Sequence, residues 1–178
     1  MKNKRQKAFS LPELLIYLVV LSVLGSLAAS YWMNTFRVNR VRSAAQEVFI
    51  QLHAAKSEAI KRNQRVYIMF QTKDEGGWCF GLKIQQQCDC FIPNSCQVDG
   101  REKVFRNIAH DGIVLEPHLT APGNRLIFDG AKSTTTNTFG HLTIKDSNLE
   151  IRVIISRSLR IRFCSPSGNS HMAGYTNC

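Results

Sequence analysis

The chain has 178 residues, with 23 Lys and Arg against 13 Asp and Glu, a formal charge of +10 and 44% hydrophobic residues. That length suits one globular domain plus an anchor and excludes an array of several large domains. The basic excess is uneven, because Lys2, Lys4, Arg5 and Lys7 all fall in the first eight residues. If residues 1–8 leave, 19 basic residues remain against 13 acidic ones, a charge of +6.

The first predicted element is an apolar helix. Leu14 to Phe36 carries no charge, and about 20 apolar residues are enough to cross a bilayer as a helix. The basic start holds the N-terminus on the cytoplasmic side and sends everything after the span outward. An ordinary secretory signal has a shorter apolar core with a small-residue cleavage site after it. Here the small residue, Ala8, precedes the apolar run, so cutting between Ala8 and Phe9 removes the basic leader and leaves the helix. One carboxylate, Glu13, stands at the entrance of the run.

The helix continues past the span. Val41, Ala45, Val48, Leu52, Ala55 and Ala59 recur in steps of three and four, one stripe of an amphipathic helix. Arg40, Arg42, Gln46, Glu47, Lys56 and Lys61 occupy its other faces, and Glu58 precedes Arg62 by four residues in the favourable order. No proline interrupts between Glu13 and Asn63, so a continuous helix of about 50 residues and about 75 Å is expected. Gly25 is the point where it would bend most readily.

After Asn63 the pattern changes to strands: 66–70, 78–84, 103–108, 113–116, 125–129, 141–145, 149–156 and 159–164. Turn signals separate them at Gly76-Gly77, Asp111-Gly112, Pro122-Gly123-Asn124, Asp129-Gly130 and Asp146-Ser147-Asn148. Residues 88–100 read as a cysteine-bearing loop and 132–138 as an exposed polar one. One long helix followed only by strands predicts an α+β fold, with the helix packed under an antiparallel β-sheet head.

The six cysteines, Cys79, Cys88, Cys90, Cys96, Cys164 and Cys178, all lie after the span. An even number there reads as disulfides in an oxidising compartment. The rival reading is a zinc site from the first four, but there is no C-x2-C knuckle and Cys88-x-Cys90 is a poor chelate spacing. Six cysteines allow 15 pairings. Locality favours Cys164 with Cys178, and Cys79 with Cys88 and Cys90 with Cys96 inside the cluster.

Lys7-Ala8-Phe9-Ser10-Leu11-Pro12-Glu13-Leu14-Leu15 resembles the cleavage site of type IV prepilins and type II secretion pseudopilins. In that family a basic leader ends at a small residue, usually Gly, followed by Phe at mature position one and Glu at mature position five. Ala8, Phe9 and Glu13 fill these places, with Ala8 a departure that keeps the residue small. The resemblance implies a leader at 1–8, a membrane-spanning and filament-core helix at 9–36, and a periplasmic head at 37–178. It implies cleavage by a prepilin peptidase, N-terminal methylation of Phe9, and pairing of Glu13 with the N-terminal amine of a neighbouring subunit, since a carboxylate in an apolar bundle needs a partner.

Further along, 55–63, Gly77-Trp78, Leu126-Ile127-Phe128-Asp129-Gly130 and the hairpin after Ile155-Ser156 are similar to minor pilins and pseudopilins of the FimT/FimU/GspH type. The resemblance runs from Ala8 to Cys164. It implies a low-copy filament subunit that partners other major and minor pilins, anchored in the inner membrane before assembly and then in a pilus at the cell surface. FimT-type members of naturally competent bacteria bind DNA for uptake, and those DNA-binding members carry a Gly-Arg-x-Arg motif at the C-terminal hairpin.

That motif meets Leu159-Arg160-Ile161-Arg162 here. Alternation puts Arg160 and Arg162 on one strand face, with Leu159, Ile161 and Phe163 on the other. Arg157 lies in the preceding turn and Arg152 on the neighbouring strand. Like charges on one face repel, and phosphate contact is a reason to keep them, because Arg presents a planar fork of donors. The alternative is a solvated outer face, common in antiparallel sheets. Leu159 stands where the motif has Gly, which implies strain at a positive-φ position or a different hairpin geometry.

The remaining residues carry no reaction chemistry. His53, His110, His118, His141 and His171 are scattered without metal spacing, and His53 reads as packing or surface. No phosphate-cradling loop, carboxylate pair or Ser-His-Asp order appears, so neither enzyme activity, metal nor cofactor is expected. Trp78 reads as core, and Tyr175 as a single candidate for base stacking. The expected function is a minor pilin that binds DNA nonspecifically and contributes to natural transformation. The alternative is a structural minor pilin or secretion pseudopilin that primes or caps a filament.

Overall fold

The computed structural model describes residues 11–73, 77–107 and 112–178, without the side chains of residues 27–31. The leader, Ala8, Phe9 and His110 lie outside the described residues. The chain divides into two units, Met1–Arg37 and Val38–Cys178.

One helix, α1, covers Leu11–Arg62 and is continuous in backbone through Gly25. Glu13 is exposed in its first turn, a position that suits a carboxylate beside the positive end of the helix dipole. Among the described residues no helix is long and apolar enough to cross a membrane. The span expected through Phe36 includes residues 27–31, whose side chains are outside the description.

In the second unit the predicted stripe is the buried face: Val41, Ala45, Leu52, Ala55 and Ala59 have no exposed surface and Val48 has 1%. Ala44 joins them. The frequent alanines let sheet side chains approach the helix backbone closely.

The strands form two main antiparallel sheets rather than one. The first has β1 (Arg65–Thr72), β2 (Trp78–Ile84), β5 (Val104–Arg106), β7 (Arg125–Asp129) and β8 (Thr134–Thr135), in the order β5-β2-β1-β7-β8. The second has β6 (Val114–Leu119), β9 (Gly140–Asp146), β10 (Leu149–Ile155) and β11 (Ile161–Cys164), in the order β11-β10-β9-β6. A short ribbon, β3 (Gln97–Val98) with β4 (Arg101–Glu102), closes the end of the cysteine loop. Pro117 is accommodated because β6 is an edge strand, where a missing donor costs no ladder bond. Phe70, Phe80 and Phe128 from the first sheet and Leu142, Ile144, Ile151, Val153 and Ile155 from the second share one core cluster with the helix stripe.

The aspartate–glycine turn after β7 is fixed by close approach to α1. A Cβ on Gly130 would stand 1.8 Å from the Ala59 carbonyl oxygen. The Gly130 amide donates to the Gln64 carbonyl at 3.2 Å.

All six cysteines form disulfides. Cys164–Cys178 occurs as expected, with Cα atoms 5.0 Å apart. The other two correct the nearest-neighbour pairing: the bridges are Cys79–Cys90 and Cys88–Cys96, with Cα atoms 6.0 and 5.1 Å apart. The loop after β2 folds back across its own strand, so sequence proximity does not decide the partners. Cys90 is seated by strands on both sides of β2. Its amide donates to Gln71 Oε1 of β1 at 2.8 Å, and its carbonyl accepts from Arg106 of β5 at 3.1 Å. Gly81, two residues along the same face from Cys79, leaves the space for the second bridge, since a Cβ there would lie 2.2 Å from Cys96 Sγ.

Candidate nucleic-acid interface

The candidate interface is the hairpin of β10 and β11. Ile151, Val153 and Ile155 of β10 are buried, and Glu150, Arg152 and Ile154 between them are half-buried on the outer face. The register sets Arg152 opposite Cys164, Ile154 opposite Arg162 and Ile155 opposite Ile161. In β11 Ile161 is buried and Arg162 exposed. Alternation therefore turns Arg152 and Arg162 to the outer face, as expected.

The connection departs from the sequence reading. β11 begins at Ile161 rather than Leu159. The Leu159 amide donates to the Ser156 carbonyl at 3.1 Å and the Ser156 amide donates to the Arg160 carbonyl at 3.0 Å. Leu159 has φ +55°. This is a tight turn followed by a left-handed residue, the bulged three-residue hairpin loop in which Gly normally supplies the positive φ. The loop geometry is therefore kept, and Leu accepts the unfavourable backbone instead. That conformation costs about 1–2 kcal/mol for an L-residue. Leu159 is only 1% exposed, and full burial of a leucine side chain contributes about 1.5–3 kcal/mol, which offsets the cost.

Two contacts seat the hairpin on α1. Lys56 Nζ donates to the Leu159 carbonyl at 3.1 Å, and Phe163 stacks on Phe49 with ring centroids 4.5 Å apart. Neither contact has a sequence signature, because the partners are more than 100 residues apart.

The four arginines are not equivalent. Arg160 and Arg162 are exposed and no described carboxylate pairs with either. Arg157 is exposed too, but its guanidinium stands 4.4 Å above the Phe139 ring and its carbonyl accepts from the Thr135 amide at 2.9 Å. Arg152 donates through Nε to Glu150 Oε1 at 2.7 Å, so its charge is largely answered within the strand. Tyr175 is partly buried, edge-on to Phe163 at 5.8 Å, and is engaged in packing rather than offered for stacking. Trp78 is buried, with Nε1 donating to the Ile113 carbonyl at 2.8 Å.

Two histidines that look scattered in the sequence meet on the same sheet: His118 of β6 and His141 of β9 are register partners, stacked 4.8 Å apart. His53 is exposed beside Phe49. Among the described residues no group of three or more His, Cys, Asp or Glu is placed to hold a metal ion.

With this geometry in place, the comparisons with known proteins are specific. The family described as type II transport protein GspH matches residues 44–159. The prokaryotic N-terminal methylation motif matches residues 3–29. The crystal structure of the type IV minor pilin FimU from Pseudomonas aeruginosa PAO1 superposes with a TM-score of 0.51, covering 72% of this chain and 94% of that one at 19% identity, a likeness of fold. No curated protein matches by sequence.

Proposed function

This chain belongs to the GspH family of type II transport proteins and is a minor pilin or pseudopilin of the FimT/FimU/GspH type, and on that premise we propose that its C-terminal hairpin is a nonspecific DNA receptor serving DNA uptake. The family and fold are those of structural pilins rather than enzymes. They imply a membrane-anchored precursor, processing by prepilin peptidase and association with other pilins. Cleavage between Ala8 and Phe9, methylation at Phe9, a subunit contact through Glu13 and inner-membrane anchoring through residues 9–36 with a periplasmic head at 37–178 belong to the same proposal.

The observation that carries the DNA reading is the pair Arg160 and Arg162, exposed and without a described carboxylate beside them, on a hairpin seated against the helix by Lys56 and Phe49. A pair of unanswered guanidinium groups on a seated hairpin is suited to phosphates. Among the described residues no helix is presented for reading a groove from this face, so the contacts are to the backbone and carry no sequence preference. Arg157 adds a third cation, and Arg152 less because Glu150 holds it.

The test is titration of the detergent-solubilised full chain into duplex DNA at several salt concentrations. Three neutralised phosphates give a log-log slope near −3, with modest affinity in roughly the micromolar range. Replacing Arg160 and Arg162 with Gln should flatten the slope by about two. Binding unchanged in that variant removes the hairpin from consideration. No binding by the unmodified chain at low salt favours the second reading, a structural pilin or secretion pseudopilin that primes or caps a filament. The intrachain commitments of Arg152 and Arg157 favour that alternative.

A further inference from the structure

The outer face of the second sheet carries a cross-strand row that ends at the arginine hairpin. His118 of β6 pairs with His141 of β9, His141 with Ile154 of β10, and Ile154 with Arg162 of β11. Directly opposed residues of antiparallel strands point to the same face. The row therefore lines up two imidazoles, one aliphatic side chain and one guanidinium over three strand spacings, about 14 Å. That distance matches the axial rise of about four phosphates of one DNA strand. His118 is 53% exposed, and Arg162 is exposed. His141 and Ile154 also line a cleft of about 400 Å³ shared with Phe139, Arg152 and Cys178.

We propose that the DNA-binding surface extends from the arginine hairpin along this row, with protonated His118 and His141 as further phosphate contacts, so that the pilin holds DNA more tightly in acid. This rests on the arginine hairpin being a DNA receptor, and it adds both residues and a control to that site.

The charged neighbours set how the row responds. Glu116, on the strand of His118, lies 4.0 Å from His118 Nε2, but Lys145 of β9 holds the same carboxylate at 2.6 Å. Glu150 of β10 is held by Arg152. Both side-chain carboxylates of the strands on this face are thus already answered, and with neutral imidazoles those strands carry three cations, Lys145, Arg152 and Arg162, against two carboxylates, with Arg160 of the adjoining loop in addition. Protonating both histidines raises the net charge of the strand face from one to three. Burial, and then the cationic neighbours His118 and Arg152, push the His141 imidazole below its ordinary value, while Glu150 acts the other way. His141 therefore takes its proton reluctantly in the free protein. A bound phosphate favours the charged form, so binding and protonation are coupled and each strengthens the other. The aliphatic Ile154 between His141 and Arg162 brings no competing charge.

The test uses the detergent-solubilised full chain and a short fluorescent duplex, with salt titrations at about pH 8 and about pH 5.5, on either side of the ordinary imidazole value. The expected result is a log-log salt slope steeper by about one to two at the lower pH, one unit for each added phosphate contact. In a His118→Gln/His141→Gln variant the slopes at the two pH values should coincide. Equal slopes in the unmodified chain overturn the inference, as does a steepening that survives in the double histidine variant. The two readings fail separately. Binding that requires Arg160 and Arg162 but ignores pH refutes only the histidine row, whereas absence of binding at both pH values refutes the arginine receptor and the row together.

Discussion

Lys56 on the helix holds the carbonyl of Leu159 on the arginine hairpin, Nζ to O 3.1 Å. Leu159 is the residue whose backbone is left-handed and whose side chain is buried. One lysine thus braces the strained point of the loop that positions Arg160 and Arg162. Replacing Lys56 with Met keeps the aliphatic stem and removes the donor. DNA affinity should fall severalfold with the salt slope nearly unchanged, because no phosphate contact is lost while the hairpin is less well held. A slope flattened by about one would instead place Lys56 itself on the DNA.

Leu159→Gly separates the two opposing terms at that position. Glycine relieves about 1–2 kcal/mol of backbone strain, but emptying a leucine-sized space in a core typically costs about 2–5 kcal/mol. The loss outweighs the relief, so the variant should unfold earlier. For a head of this size about 2–4 °C per kcal/mol is expected. A rise in melting temperature would mean that strain, not burial, dominates there.

The cysteine pairing is directly checkable. Peptide mapping without reduction should recover Cys79–Cys90, Cys88–Cys96 and Cys164–Cys178. Loss of the last bridge, which closes a 14-residue separation, should cost about 3 kcal/mol. Gly81→Ala should be more damaging than its one methyl group implies, because that methyl would press on Cys96. Free thiols at Cys88 and Cys96 in this variant would be its signature.

Asp129 gives a pH dependence of stability. Its carboxylate accepts from Arg65 Nε at 3.0 Å and from the amides of Ala131 and Lys132 at 3.1 and 3.2 Å. The Arg65 hydrogen bond, helped by these amides and opposed by burial, holds its pKa below the ordinary aspartate value. A lowered folded-state pKa means the unfolded chain binds the proton first. The stabilisation is therefore full above about pH 4 and is lost as pH falls below it toward the folded value. Asp99, lowered chiefly by its hydrogen bond with Arg62, acts in the same direction. Urea midpoints should decline on acidification through this range, and Asp129→Asn should make the decline shallower. An identical decline in that variant would exclude Asp129 as a source.

At the other end of the chain, mass spectrometry of the membrane-extracted protein should find a mature N-terminus at Phe9. Glu13→Ala should leave that processing intact while reducing incorporation into filaments. A mature form beginning at Met1 would contradict the assignment of 1–8 as a leader.

The sequence by itself determined the local features: the long helix, its buried stripe from Val41 to Ala59, strands 78–84 and 125–129, and the alternation that turns Arg162 outward. These follow from periods of 3.6 and 2 and from turn residues, all read over a few neighbouring positions. The family followed too, because its motifs are short and ordered. Tertiary structure decided what depends on segments far apart. The strands divided into two sheets. Cys90 rather than Cys88 reached Cys79, because the loop folds back over β2 between Gln71 and Arg106. Glu150 took Arg152 out of the free basic set. Leu159 occupied a glycine conformation because its side chain found a place in the core, and His118 met His141 because β6 pairs with β9. Periodicity fixes which way a side chain points along its own strand, whereas register and packing alone fix what it meets there.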